Sequence, residues 1–216
     1  LGRAVGFYPL VGLLIGILLL GANALLVLVF PPPLRAALVL TIWVLASGAL
    51  HLDGFLDACD GILGGFTPVK RMEIMRDEAV GAFGLAGGFL LLLLKFTSLD
   101  ALQPASLALV LIPTLSRWGI SLALIAYPYA RAQGLGRAIK DNAGWQELLL
   151  ATLIAGLTAW FTFQWLGLVA LGMSAIVVWL TATFIMRRIP GLTGDIYGAI
   201  NELVEVVLLV IFVILI

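Results

Sequence analysis

Long apolar segments recur along almost the whole chain, and they constrain its fold more than any other feature. Hydrophobic residues make up 62% of the 216 and charged residues 11%, and the mean hydropathy is +1.17. Only helices satisfy their own backbone hydrogen bonds in lipid without closing into a barrel. The sequence therefore predicts an all-α, polytopic integral membrane protein with about seven transmembrane helices, placed near residues 9–30, 36–52, 82–99, 105–125, 147–163, 166–186 and 201–216.

The chain shows no repeat, low-complexity tract or soluble domain, so we interpret residues 1–216 as one membrane domain. It begins at Leu1 rather than at a methionine, and we expect an N-terminal segment to be missing. The single cysteine, Cys59, excludes a disulfide framework within the chain and a zinc knuckle. We expect it to be a small packing residue.

Basic residues are distributed unevenly between the two sides of the predicted helices. One side carries nine of them, and the other only Arg35 and Lys95, while Arg117 falls inside the fourth span. The positive-inside rule then predicts a cytoplasmic basic side, with the N-terminus inside and the C-terminus outside. All acidic residues except Asp100 also fall on or next to that side. The nine basic residues are Arg3, Lys70, Arg71, Arg76, Arg131, Arg137, Lys140, Arg187 and Arg188.

Three aspartates follow the second apolar run, in the segment HLDGFLDACDG at residues 51–61. Asp53, Asp57 and Asp60 lie at i, i+4 and i+7, so all three share one face if the helix continues through them. Carboxylates clustered at a membrane boundary are costly unless a cation neutralises them. A hard divalent ion suits such oxygen ligands, and we expect Mg²⁺.

Further polar residues gather in the loops of the same side. Glu73 and Asp77 are again four apart, and a second acidic pair of this kind could complete a metal site. A cation within a span, such as Arg117, is costly unless it faces a polar cavity or an anion. Metal-binding acids, basic residues suited to phosphate and a membrane location together predict phosphoryl or nucleotidyl transfer at the cytoplasmic face. The remaining members are Arg76, Arg137, Lys140, Asp195, Asn201, Glu202 and Glu205.

Simpler interpretations apply to some of these residues. Glu78 and Asp141 are expected to be solvated loop charges. His51 is equally compatible with a packing or capping role and with a role as a base or ligand. Arg187 and Arg188 are most simply topology signals.

Several motifs together resemble the cobalamin synthase family, adenosylcobinamide-GDP ribazoletransferase, also described as cobalamin-5′-phosphate synthase. They are HLDGFLDACDG, KRMEIMRDEAVGAFG, SRWG, GLGRAIK and TGDIYGAINELVE, and the similarity extends from Pro9 onward. The resemblance implies the last assembly step of cobalamin: adenosylcobinamide-GDP is joined to α-ribazole or its 5′-phosphate, and GMP is released. It also implies Mg²⁺, small-molecule substrates without nucleic acid, and the cytoplasmic membrane of a prokaryote. A homo-oligomer remains an option.

The resemblance also suggests roles for individual residues. Metal ions would be held by Asp53, Asp57, Asp60 and Asp77. Phosphate oxygens would be bound by Arg76, Arg117, Arg137 and Lys140. Either Asp77 or His51 would serve as the general base, and the spacing does not choose between them. Ribose or corrinoid amide groups would be bound by Asp195, Asn201 and Glu202.

Three alternatives to this function remain. A CDP-alcohol phosphotransferase performs the same displacement. Its usual signature is an Asp-Gly pair followed by Ala-Arg and then by a later pair of aspartates four apart, and this chain lacks that Ala-Arg and that later pair after its Asp-Gly. An ion-coupled transporter would place charges near the bilayer midplane and would show related halves, whereas here the charges are predicted to gather at one face and no repeat is evident. A structural scaffold protein would have no reason to concentrate eleven acidic residues on one side.

Overall fold

A computed structural model describes residues 2–103 and 106–215 of the protein. Within these ranges the chain is helical, and the one pairing of extended backbone is an isolated bridge between Tyr129 and Leu192. A 3₁₀ helix, Gly2–Phe7, leads into the α-helices, which are α1 (Tyr8–Leu26), α2 (Pro32–Ala46), α3 (Leu50–Gly64), α4 (Pro68–Ile74), α5 (Ala82–Ala101), α6 (Ala108–Ala126), α7 (Leu135–Asp141), α8 (Trp145–Met186) and α9 (Gly194–Leu215).

The apolar helices confirm the predicted polytopic architecture. Among the described residues, five helical stretches are long and apolar enough to cross a membrane, and a sixth is added if α2 and α3 count as one bent span. The longest, α8, contains 42 residues. As one straight helix it would extend roughly 63 Å, about twice the hydrocarbon thickness of a bilayer.

Two contacts show that α8 folds back on itself. The Trp118 indole in α6 donates to the Thr152 hydroxyl at 3.0 Å, while a Cβ on Gly119 would lie 3.2 Å from Val178. In a straight helix, Thr152 and Val178 would be about 39 Å apart. Trp118 and Gly119 are adjacent in α6, so they could not contact these two residues unless α8 folds back. The chain reverses at Gln164, whose backbone (φ 51°, ψ −125°) is not helical. Counting the two arms separately, with α2 and α3 as one span, gives the seven predicted crossings.

The second span differs from its prediction at one point. We expected the helix through residues 36–52 to continue through the aspartates, whereas the structure bends by 88° between α2 and α3. Gly48 (φ 60°) and Ala49 (φ 57°) adopt left-handed backbone conformations that end one helix and start the next. The aspartates still share a single helix, α3, but that helix runs nearly perpendicular to α2.

Helix α6 lies at the centre of the bundle, and all but three of its 19 residues are buried. Small residues on α1 allow this close packing. A Cβ on Gly12 would lie 2.1 Å from the Pro113 carbonyl oxygen, and one on Gly16 would lie 2.6 Å from the Val110 Cα. Backbones approach this closely in membrane helices because small residues remove the side chains between them. Helix α6 thus provides a fixed wall for the site.

Charged loops meet on one side of the bundle, here called the basic face. The Arg71 guanidinium of α4 donates to the Arg188 carbonyl at 3.2 Å. The Ala130 amide donates to the Leu192 carbonyl at 2.8 Å, joining the loops on either side of α7 and α8. At the N-terminus, Gly2 packs directly against Asn142. The prediction that the charged loops lie on one side of the helices is therefore confirmed.

Candidate functional site

A cavity of about 660 Å³ lies between α1, the α2–α3 bend, α6 and the start of α9. Residues from the loop after α6 line its basic-face side, so the cavity faces the charged loops. One wall is apolar and formed by Val11, Ile15, Ile120 and Leu124. The polar lining contains four of the predicted site residues, His51, Asp53, Arg117 and Asp195, together with Arg131.

Acidic side chains gather where the cavity meets the basic face. Asp53 is exposed and Asp57 is half-buried on α3, and both interact electrostatically with Asp195 at the start of α9. Arg131 forms an ion pair with Asp195 at 2.6 Å, and the Thr193 hydroxyl donates to the same carboxylate oxygen at 3.2 Å. These four charged residues, Asp53, Asp57, Asp195 and Arg131, are here called the acidic mouth. Three carboxylates face one guanidinium, so the acidic mouth carries excess negative charge.

Two tyrosines stand beside the acidic mouth. The rings of Tyr129 and Tyr197 are stacked, with centroids 6.2 Å apart and an interplanar angle of 24°. Burial raises the pKa of the Tyr129 phenol above its ordinary value, so this hydroxyl is a neutral donor at neutral pH. The buried Tyr197 hydroxyl has no hydrogen-bond partner within residues 2–103 and 106–215. Both tyrosines line the cavity, where a ligand's polar groups could satisfy them.

A second group of charges lies inside the bundle, near the middle of its helices. Lys95 of α5 forms ion pairs with Glu202 and Glu205 of α9, the second at 2.5 Å. Arg117 of α6 forms an ion pair with Glu205. All four side chains are at least nine-tenths buried. We call Lys95, Arg117, Glu202 and Glu205 the interior charge network; its two cations balance its two anions.

The interior charge network corrects two expectations from the sequence. The sequence predicts Lys95 on the side opposite the basic face, whereas its side chain extends from α5 and is buried within the helix bundle. Acidic residues were expected on or next to the basic face, whereas Glu202 and Glu205 lie deeper, because α9 begins at Gly194. Asn201 and Glu202, predicted to bind substrate, do not line the cavity, and the Asn201 amide instead donates to Glu205 at 3.0 Å. Their substrate-binding role stays an untested prediction.

Arg117 connects the interior charge network to the cavity. One terminal nitrogen donates to Glu205 and to the Ser116 hydroxyl, the latter at 2.9 Å. Its other terminal nitrogen lies 3.5 Å from Nδ1 of His51. Since Arg117 and His51 both line the cavity, the network presents a fixed guanidinium at the cavity wall.

The predicted metal ligands are not arranged as one preformed site. Asp60 accepts hydrogen bonds from the backbone N–H groups of Gly81 and Gly84, each at 2.8 Å, and so caps the N-terminus of α5. Asp77 is exposed in the loop before α5 and accepts from the Ala79 amide at 3.1 Å. In the described parts of the chain, no three His, Cys, Asp or Glu side chains are grouped to hold a metal ion. Asp53 and Asp57 of the acidic mouth remain as candidate carboxylate ligands.

The remaining predicted phosphate-binding residues lie outside the cavity. Arg76 is exposed but close enough to interact electrostatically with Tyr129. Arg137 forms an exposed ion pair with Asp141 at 2.9 Å. Lys140 donates to two carbonyl groups at the C-terminal end of α6, at 2.7 and 2.9 Å, and burial lowers its pKa. Lys140 therefore caps a helix.

Three polar cavity residues with a possible role, Arg131, Tyr129 and Tyr197, carry no signal in the sequence that singles them out. Arg131 had been counted only as a topology signal, and nothing in its local sequence distinguishes it from other loop arginines. The hydrogen bonds between Pro128, Ala130 and Leu192 bring its loop to the start of α9. This is a tertiary contact between residues about 60 positions apart, so spacing along the chain could not reveal it.

Comparison with known proteins gives a consistent result. The family model described as Cobalamin-5-phosphate synthase matches residues 1–213. An adenosylcobinamide-GDP ribazoletransferase of Pseudomonas fluorescens strain Pf-5 is 44% identical over 216 residues, covering 97% of this chain and 87% of that protein. The enzyme of the same name from Desulfitobacterium hafniense is 39% identical over 211 residues, covering 94% and 83%. No solved structure matches the chain at a significant level.

Proposed function

Because the chain belongs to the cobalamin-5-phosphate synthase family, we propose that it joins adenosylcobinamide-GDP to α-ribazole or its 5′-phosphate and releases GMP. This reaction is the last step in the assembly of cobalamin. The observation that carries the proposal is the cavity itself, which has arginines in its wall and clustered carboxylates at its mouth. That combination suits a diphosphate substrate that reacts with an uncharged hydroxyl.

The proposed displacement follows from the chemistry of the two substrates. A ribazole hydroxyl oxygen attacks the phosphorus on the corrinoid side, forming a new P–O bond. The P–O bond to GMP breaks, GMP leaves with that electron pair, and the hydroxyl proton passes to a base. Negative charge develops on the leaving oxygen, where Arg117 and Arg131 in the cavity lining would stabilise it.

His51 is the better placed of the two predicted bases. It lines the cavity beside Arg117, whereas Asp77 is exposed in a loop and does not contribute to the lining. A general base must come within hydrogen-bond reach of the proton that it removes. We therefore assign proton removal to His51 as part of the proposal.

Mg²⁺ is the cofactor that this chemistry calls for, and Asp53 and Asp57 would hold it. Mg²⁺ retains several waters and is usually bound through one or two carboxylates together with substrate phosphates, so no third protein ligand is required. The excess of carboxylates over cations in the acidic mouth fits such a partner. When bound, the ion would neutralise charge on the diphosphate.

The orientation in the membrane completes the proposal. Because Lys95 lies inside the bundle, it no longer counts toward the opposite side. Nine basic residues then belong to the basic face and only Arg35 to the other side. The positive-inside rule then places the basic face, the cavity and the N-terminus in the cytoplasm. Single cysteines introduced at residues 69 and 187 into a Cys59→Ser background would test this, because membrane-impermeant thiol reagents should label neither in intact cells.

One assay tests the proposed activity directly. Purified protein with Mg²⁺ should release GMP from adenosylcobinamide-GDP only when α-ribazole or its 5′-phosphate is added. Replacing the corrinoid by CDP-diacylglycerol with an alcohol acceptor tests the CDP-alcohol alternative, and no CMP should appear. Release of CMP, or absence of GMP with both substrates present, would overturn the proposal.

A further inference from the structure

We propose that Glu205, deep in the bundle, is a positioning residue that holds Arg117 in the orientation needed to bind the substrate diphosphate. The inference rests on the proposed function, since it concerns what Arg117 does in the cavity. Glu205 does not line the cavity and so cannot touch the reacting atoms. It acts through the guanidinium that it holds.

The contacts of Glu205 support a positioning role. One of its carboxylate oxygens accepts hydrogen bonds from Arg117, from the Ser116 hydroxyl at 3.0 Å and from the Asn201 amide at 3.0 Å. The other oxygen is bound by Lys95. A carboxylate held on both oxygens by groups from α5, α6 and α9 has no freedom to rotate, so it fixes the guanidinium that it binds.

Lys95 and Glu202 add further contacts that fix the geometry of the Arg117–Glu205 pair. A single arginine and glutamate would already be neutral, but their geometry would depend on one contact. Lys95 binds both glutamates, and so joins α5 to α9 at the level of Arg117. The result is a neutral, fully buried frame from which only Arg117 reaches the cavity. Buried ion pairs contribute little net stability, so geometric definition is the more plausible benefit.

Glu202 provides a matched control for Glu205. Both residues lie on α9, both are bound by Lys95 and both are nearly fully buried. The changes Glu205→Gln and Glu202→Gln remove the same charge from the same network. Only the first changes the group that accepts from Arg117: a glutamine at 205 keeps one acceptor oxygen but turns an NH₂ group toward either Arg117 or Lys95.

A double-mutant cycle tests the proposal. We expect Glu205→Gln to lower kcat/KM for GMP release by about 10²-fold, because small misplacement of a binding group has effects of that size. We expect Glu202→Gln to lower it by less than about tenfold, because the contacts between Arg117 and Glu205 stay intact. In an Arg117→Gln background, Glu205→Gln should cause almost no further loss, because the group that it positions is gone.

Two outcomes would overturn the positioning role. If Glu205→Gln and Glu202→Gln reduce kcat/KM equally, the network is merely structural. If the losses from Arg117→Gln and Glu205→Gln multiply in the double variant, Glu205 acts independently of Arg117. Both outcomes presuppose an active parent protein, so absence of GMP release by the unmodified enzyme would instead reject the proposed function.

Discussion

The interior charge network and the acidic mouth use the same kinds of side chain but differ in how completely their charges are paired. In the interior, Lys95 and Arg117 balance two glutamates, and every ion pair is buried. At the mouth, Arg131 alone faces three aspartates, and Asp53 is exposed. A buried charge must be paired because its desolvation cost is large. A charge near water is solvated, so it needs no partner in the protein and stays available to bind a ligand. The unpaired region is therefore where a cation and a substrate would bind.

The largest expected effect tests the pairing of the interior. Replacing Lys95 by methionine would leave Glu202 and Glu205 with Arg117 as their only remaining cation. Removing one partner of a buried ion pair typically costs about 3–5 kcal/mol of unfolding free energy. We expect a loss of this size in chemical unfolding in detergent.

The control for this change is Lys70→Met. Lys70 also pairs with a glutamate, Glu73 at 3.2 Å, but both side chains are more than half exposed. Solvent screens such a pair, so the loss should stay below about 1 kcal/mol. Equal losses of unfolding free energy for the two variants would show that burial does not make the interior ion pairs more costly to break than an exposed pair.

The second prediction concerns the unpaired charges of the mouth. We expect Asp57→Asn to reduce GMP release by about 10²–10³-fold, because it removes a carboxylate proposed to hold Mg²⁺. The Mg²⁺ concentration for half-maximal activity should also rise. Stability should not fall, because the change relieves repulsion from Asp53 and Asp195.

Glu78→Gln is the matched control, since Glu78 is an exposed carboxylate of the loop before α5. It should retain the activity and the Mg²⁺ dependence of the unmodified protein. An Asp57→Asn variant with full activity and unchanged Mg²⁺ dependence would remove the acidic mouth from the proposed mechanism.

The sequence predicted the helical spans, the gathering of the charged loops at the basic face and four polar residues of the cavity lining, His51, Asp53, Arg117 and Asp195. It did so because hydropathy and charge distribution act locally: an apolar run must be buried or lie in lipid whatever its neighbours are. Spacing also placed Asp53, Asp57 and Asp60 on one helix correctly. It could not show that Asp60 caps a different helix, because the N-terminus of α5 reaches it only in the folded bundle.

Asp60 itself gives the third prediction, which separates a capping carboxylate from a metal-binding one. An asparagine at this position would keep one acceptor oxygen but would point an NH₂ group at a backbone N–H. Leaving that N–H unsatisfied should cost about 1–3 kcal/mol of unfolding free energy. GMP release per folded molecule should fall much less than in Asp57→Asn. A loss of activity as large as that of Asp57→Asn, without a loss of stability, would indicate that Asp60 binds the metal ion and does not act only as a helix cap.

The smallest expected effect concerns the α2–α3 bend, after which α3 places Asp53 in the cavity lining. Ala49 has a left-handed backbone (φ 57°), which costs an L-residue with a side chain roughly 1–2 kcal/mol. Glycine adopts this conformation freely but loses more entropy on folding, so Ala49→Gly should stabilise the protein by about 0.5–1 kcal/mol. The measurement is the unfolding temperature in detergent.

Gly48→Ala supplies the opposite change at the same bend. Gly48 is also left-handed (φ 60°), and a Cβ there would meet no other atom within 4 Å, so backbone conformation alone decides the outcome. We expect this variant to be less stable by about 1 kcal/mol. If both variants shift stability in the same direction, the bend is not held in the left-handed conformation. The 88° bend between α2 and α3 would then need another cause.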